Sequence, residues 1–252
     1  MNKASELKPT ATSLTIWQRW KKKATLFVLA IVPLQIGCCV VYKYVLPPIT
    51  IIQAESLILK SRSFDRTYID SKKVSFHFYH ALIGSEDTSF AHHNGFDIEG
   101  IKEAFRNKTG GGSTITQQAV KNALLWKEPA ILRKVGELYL TPTVEKIWKK
   151  ERILEIYVNI IEFEDGVYGI ESAAKKFYHK SAKNLTKQEA VEIVSCIPQP
   201  KGCLRYRVHT KPLKLVQAHI RKEMKALERD VPTMELIDRV TGASDATGAL
   251  KP

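Results

Sequence analysis

Glu86-Asp87-Thr88-Ser89-Phe90, continuing to His93-Asn94-Gly95, is followed by Gly111-Gly112-Ser113-Thr114-Ile115-Thr116-Gln117-Gln118 and then by Arg133-Lys134-Val135-Gly136-Glu137. A carboxylate pair, a glycine-led run of hydrogen-bonding side chains and a basic doublet are what sugar-phosphate chemistry asks for. Apolar residues recur around them at helical spacing. Phe78, Leu82 and Ile83 lead into the first stretch, and Ile98, Ile101 and Phe105 mark a short amphipathic helix between Asp97 and Asn107. Residues 108–112 read as a turn, residues 116–126 resume helically, and Glu128-Pro129 opens a helix carrying Ile131, Val135 and Leu138. Pro142 predicts a break or kink there. Residues 147–163 give the clearest helix, with Leu154, Val158 and Ile161 on one face. Further helices are expected through Ala173-Ala174 to Tyr178, over 186–197 with Thr186 and Glu189 as a capping box, and over 210–230 as a basic amphipathic segment. Period-two alternation is scarce, so the class is mainly α.

With 252 residues, 44% of them apolar, the chain can bury a substantial core. It carries 39 Lys and Arg against 26 Asp and Glu, a net charge of +13, which favours a polyanionic partner. Charge alone does not choose between nucleic acid, anionic lipid and a phosphorylated substrate. A basic segment, 1–23, precedes 19 uncharged residues, 24–42, about the length needed to cross a bilayer. Trp17, Trp20, Tyr42 and Tyr44 suit the two interfaces. A retained anchor is favoured over a cleaved signal peptide, and the basic flank keeps the N-terminus cytoplasmic. The expected organisation is a cytoplasmic tail over 1–23, an anchor over 24–44, a connector over 45–74, a catalytic domain over 75–235 and a C-terminal tail over 236–252. Cys38 and Cys39 read as small apolar residues of the span. Cys196 and Cys203 flank a loop-like stretch, and both a bridge and free thiols are open.

Taken singly, each motif has a bland reading. The glycine run lacks the Lys that a phosphate loop places before its Ser or Thr, and in isolation it is a turn and a helix start. Arg133, Lys134 and Glu137 share a helix face as an ordinary ion pair, or as cations and a carboxylate beside a diphosphate. Glu86-Asp87 alone is a common solvated doublet, and His93 alone is more often structural than catalytic.

Together, Glu86-Asp-x-x-Phe90-x-x-His93-x-Gly95, Gly111 to Gln118 with Lys121-Asn122, Arg133-Lys134-x-x-Glu137, Lys150-x-x-Ile153-Leu154-Glu155-x-Tyr157-Val158-Asn159 and Tyr168-Gly169-Ile170-Glu171-Ser172-Ala173-Ala174 closely resemble the peptidoglycan glycosyltransferases. The resemblance covers about residues 75–200 and implies a lysozyme-like, α-rich glycosyltransferase domain preceded by one transmembrane helix, with a membrane-embedded face beside the cleft. The length left over suits the monofunctional type. Glu86 matches the general base and Glu137 the second carboxylate. Lys121, Arg133 and Lys134 match diphosphate-binding positions, and Asp87, Ser113, Thr114, Gln117 and Gln118 match substrate-binding positions of the cleft. The implied reaction polymerises lipid II by inverting β-1,4 transfer with release of undecaprenyl diphosphate. No protein metal ligands are expected, while a divalent cation, Mg²⁺ or Mn²⁺, at the diphosphate stays open. Implied partners are lipid II, the growing glycan strand, the bilayer and cell-wall synthesis or division proteins, and no nucleic acid. The implied location is the bacterial inner membrane, single-pass, with the catalytic domain periplasmic.

Glu164 stands where the family has Gly, Pro142 lies in a normally uninterrupted helix, His92 and His93 are doubled, and the 97–110 flap is compact. The rivals are a lysozyme-like hydrolase or lytic transglycosylase, an idle membrane scaffold, and a basic nucleic-acid binder.

Overall fold

Every residue from Phe78 to Gly84 is buried, so the helix carrying the first motif hides all its sides, as a helix at the centre of a core must. The computed structural model describes residues 11–60, 64–107, 112–127 and 129–243. The calls made for 1–10, 108–111, Glu128 and 244–252 lie outside the described residues. In chain order the helices are α1 (Ala11–Tyr42), α2 (Ile51–Lys60), α3 (Phe76–Glu86), α4 (Ile98–Asn107), α5 (Ile115–Leu124), α6 (Ala130–Ile147), α7 (Lys150–Ile160), α8 (Ile170–Tyr178), α9 (Lys187–Ser195), α10 (Lys211–Leu227) and α11 (Val231–Thr241). The central α3 packs against α9, α10 and α11, while α5 is held between α6 and α7. A small sheet of β1 (Asp65–Arg66), β2 (Glu162–Glu164) and β3 (Val167–Tyr168) has the order β1-β3-β2. Its outer pairs are parallel, Asp65 with Val167, and antiparallel, Glu162 with Tyr168. The class is mainly α.

Several expected boundaries move. Pro142 neither breaks nor ends its helix: α6 runs from Ala130 to Ile147 with the proline inside. Buried Glu137, Leu140, Thr141 and Val144 lie on both sides of it, and their packing outweighs the one backbone hydrogen bond a proline removes. The helix expected over 147–163 is shorter, because Lys149 caps α7 and the chain after Ile160 enters β2. The tail does not begin at 236. Leu236, Ile237 and Val240 are buried in α11. The 45–74 segment is likewise fastened to the domain: Gln53 in α2 donates to the Ile160 carbonyl at 3.0 Å, and Arg66 and Tyr68 bond the carbonyls of Pro48 and Pro47.

The last third of α1 is docked on the domain as well. Trp148 Nε1 donates to the Cys39 carbonyl at 2.6 Å and Arg152 Nε to the Tyr42 carbonyl at 2.9 Å. Gln35, the polar residue within the apolar run, is buried and accepts from the Tyr139 hydroxyl. The side chains of Ala24, Phe27 and Val28 lie outside the described residues, and among those described no helix is long and apolar enough to cross a membrane. Cys38 and Cys39 are free, and Cys196 and Cys203 form a disulfide with Cα atoms 5.6 Å apart.

Candidate active site

The first two motifs are joined by hydrogen bonds at the start of α5. Asp87 Oδ2 accepts the backbone N–H of Ile115 at 2.9 Å, placing a carboxylate on a helix N-terminus where it is favoured. His93 Nε2 donates to the same carboxylate at 2.9 Å. Thr114 caps α5 in a capping box with Gln117, and the Thr114 hydroxyl donates to the Gly95 carbonyl at 2.6 Å. Gly95 has φ +98°, and a Cβ there would lie 2.6 Å from Thr141 Cγ2, so no other residue fits the turn. These bonds give Asp87, Thr114 and Gln117 a structural duty beside the substrate contact that the sequence reading expected of them. Both Asp87 oxygens, the Thr114 hydroxyl and Gln117 Oε1 help to hold the turn and the helix start. Ser113 lines a cavity, as do Asp87 and Thr114, while Gln117 is not among its lining residues.

That framework aims Glu86, at the last turn of α3, across α5. Gln118 Nε2 donates to Glu86 Oε2 at 2.9 Å, and the Tyr157 hydroxyl donates to Gln118 Oε1 at 2.9 Å, so the amide is fixed on both sides. Burial pushes the Glu86 carboxyl above the ordinary carboxylate range. The bonds from Gln118 and Ser85 and the charge of Lys121 oppose the shift, while Asp87 adds to it. A partly buried carboxyl with a raised pKa is suited to proton transfer.

Lys121 follows Gln118 by one helical step, and here the third motif arrives. Gly136 lets α6 press on the end of α5, since a Cβ there would lie 2.8 Å from Leu125 Cδ2. The neighbouring Glu137 is 2% exposed. Lys134 Nζ is 2.6 Å from Glu137 Oε2 and Arg133 Nε 3.3 Å from Oε1. Oε1 has no aligned hydrogen-bond donor, and a buried acceptor left so costs about 1–3 kcal/mol, which is unlike a pair selected for stability. Burial lowers the Lys121 ammonium from its usual range. The carboxylates of Glu137 and Glu86 both raise it, and Arg133 and Lys134 lower it further. Lys121 is thus within electrostatic reach of both carboxylates. Arg133 and Lys134 pair with buried Glu137 and Lys121 lies within electrostatic reach of it, a net positive site near the partly buried Glu86.

Glu86 also lines a cavity of about 400 Å³ formed by residues of α3, α4, the approach to α5, and α10. Glu145 was not anticipated from the sequence: it accepts from Thr116 Oγ1 at 2.5 Å and from Lys150 Nζ at 2.7 Å. Lys150 Nζ in turn lies 4.3 Å over the Phe90 ring, so Glu145 ties α5, α6 and α7 to the first motif. Thr116 and Lys150 stood in recognisable motifs, yet Glu145 carried no signal of its own. The doubled histidines divide their work, His93 binding Asp87 and His92 binding Asp230 at 2.9 Å. Glu164 is buried, with Oε1 accepting from the backbone N–H groups of Asp165 and Gly202, so this departure braces the disulfide loop.

A partly buried carboxyl, Glu86, and a cluster of three cations around Glu137 are thus brought to the same helix, α5. The transglycosylase family profile matches residues 54–225. The chain is 33% identical over 226 residues to the biosynthetic peptidoglycan transglycosylase of Bdellovibrio bacteriovorus, covering 86% of this chain and 89% of that one. It is 35% identical over 192 residues to the protein of the same name from Caulobacter vibrioides, covering 74% and 82%. With that of Acinetobacter baumannii it shares 41% over 154 residues, 59% of this chain and 67% of the relative. The chain belongs to the peptidoglycan transglycosylase family. It is a glycosyltransferase of peptidoglycan biosynthesis, acting on a glycan substrate.

Proposed function

We propose that the substrate is lipid II and that the chain extends it into glycan strands with inversion at the anomeric carbon. Glu86 takes the proton from the 4-hydroxyl of the acceptor sugar as that oxygen attacks the donor's anomeric carbon. The bond from that carbon to the diphosphate oxygen breaks, and the electron pair leaves with undecaprenyl diphosphate. Lys121, Arg133 and Lys134 meet the charge developing there, which lowers the barrier because they are in place before it forms. Glu137 holds Arg133 and Lys134 in position between turnovers. The observation that carries this reading is the shared face of α5: Gln118 fixes the base and, one step on, Lys121 joins the cations.

A divalent ion does not fit these residues well. Glu137 Oε2 is already taken by Lys134 at 2.6 Å, and among the described residues no group of three His, Cys, Asp or Glu side chains is arranged to hold a metal. No step is routed through one.

We further propose that α1 anchors the enzyme in the bacterial inner membrane, with its N-terminus cytoplasmic. Support comes from the uncharged run over 24–42 and from exposed Leu26, Leu29 and Leu34 on α1. The adjoining α6 exposes Ile131, Leu132, Val135 and Leu138, and α4 exposes Ile98, Ile101 and Phe105, the last 89% accessible. Such apolar exposure beside the cleft suits a lipid-facing surface, and cell-wall synthesis or division proteins would meet the enzyme there. Confinement to the bilayer raises the effective concentration of a lipid-linked substrate.

Incubating purified protein with labelled lipid II, and separately with preformed glycan polymer, tests the reaction. A ladder of extended glycan suppressed by moenomycin is expected. Cleavage of the polymer without extension of lipid II would instead mark a lytic enzyme.

A further inference from the structure

The cavity beside Glu86 has a one-sided lining. Its charged walls are Glu86, Asp87, Asp97, Glu103, Glu223 and His219, and none of its described lining residues is Lys or Arg. Carboxylates without cations repel a diphosphate but accept readily from the hydroxyls and amide of an uncharged sugar. Lys121, Arg133 and Lys134 are not among its lining residues, so the cavity and the cation cluster offer Glu86 opposite chemistry.

Two of these carboxylates have internal duties. Asp87 binds His93 and Ile115, and Asp97 accepts from Ser89 Oγ at 2.6 Å and from Gly100 N–H at 2.8 Å. Glu223 does not. It lies one turn after His219 on α10, with Nδ1 to Oε1 3.7 Å, beyond hydrogen-bond distance, so both groups keep their capacity for a ligand. Their side chains are 26% and 67% exposed respectively.

The place of α10 is fixed with care. His80, buried in α3, donates from Nε2 to the Met224 carbonyl at 2.7 Å. A Cβ at Gly84 would lie 3.3 Å from the Met224 backbone nitrogen, so the absence of a side chain lets α10 cross against α3 two residues before the base. Met224 follows Glu223 directly, so the contact that locks the helix also sets Glu223 at the cavity wall. Resting on the polymerase reading above, we propose that Glu223 and His219 are specificity-determining residues that hold the acceptor sugar against Glu86. Glu223 accepts hydrogen bonds from the sugar's hydroxyl or acetamido N–H groups, and His219 covers its outer edge. These residues lie on an element outside the motifs that mark the family.

The test uses the full chain with Glu223→Ala, Glu223→Gln and His219→Ala, measuring glycan extension against lipid II concentration and moenomycin affinity as a readout of the diphosphate side. Glu223→Ala is expected to raise KM about 10-fold, the loss of a hydrogen bond to a charged group, with kcat within about twofold and moenomycin affinity unchanged. Glu223→Gln, which keeps an acceptor oxygen, should recover most of the loss, and His219→Ala should raise KM about threefold. Unchanged KM in all variants of an active enzyme overturns this proposal alone. So does a joint loss of kcat and moenomycin binding, the mark of a structural role. Wild-type protein that binds moenomycin but extends no lipid II overturns the polymerase reading, and this one with it.

Discussion

At the scale of single residues, the chemistry turns on how Glu86 is kept. Its folded pKa is raised by burial, and a general base works in its ionised form, so activity should climb with pH along an acid limb centred above the ordinary Glu value of about 4.3. Gln118 donates to the charged form, so Gln118→Ala should push that limb higher, read from the pH profile of kcat/KM. The sign for stability is opposite. Between the ordinary and the raised pKa the folded state binds more protons than the unfolded chain, so stability falls as pH rises through that window. Glu86→Gln should therefore melt no lower than wild type at neutral pH, a point for calorimetry. Among the cations, Arg133→Lys keeps charge but loses the planar fork. We expect Arg133→Ala to weaken moenomycin binding about tenfold or more and Arg133→Lys to restore it only in part. Glu86, Glu137 and the three cations were legible because their types and order match a known family. The use of Thr114 and Gln117 was equally legible and was missed: Thr-x-x-Gln before a helix is a capping signature, read at Thr186 and passed over at Thr114. Asp87 carried no such mark, since only folding brings it to the N-terminus of α5.

Elements show where local rules lose to packing. Pro142 sits within α6 because buried side chains before and after it hold the helix together, so Pro142→Ala should leave activity in place and change Tm by no more than a few degrees. The boundary expected at 235 falls within α11, where the fold buries three aliphatic side chains, Leu236, Ile237 and Val240. A chain ending at 235 loses those contacts, each worth about 1.5–3 kcal/mol, and should show a clear fall in Tm. The Cys196–Cys203 bridge closes a sequence separation of 7 residues. Opening so short a loop should cost about 2–3 kcal/mol by chain entropy, measurable as a lower denaturant midpoint under reducing conditions. The sequence left bridge and thiols equally open because spacing does not report Cα separation.

For the whole molecule, the mainly α class followed from periodicity, but the junction between α1 and the domain did not. Three hydrogen bonds from Tyr139, Trp148 and Arg152 to Gln35, Cys39 and Tyr42 make the end of α1 part of the folded body. Removing residues 1–30 should weaken association with lipid vesicles while leaving Tm nearly unchanged, whereas removing 1–44 should lower Tm as well. Flotation with vesicles and thermal melts separate these effects. The decisive measurement is glycan synthesis from labelled lipid II by wild type and Glu86→Gln under the same conditions, with moenomycin binding followed in parallel. We expect the variant to bind moenomycin as wild type does and to lose polymerisation by about 10²–10⁴-fold, the usual worth of a positioned base. Undiminished strand synthesis by a folded Glu86→Gln enzyme would contradict the assignment of Glu86 as the base.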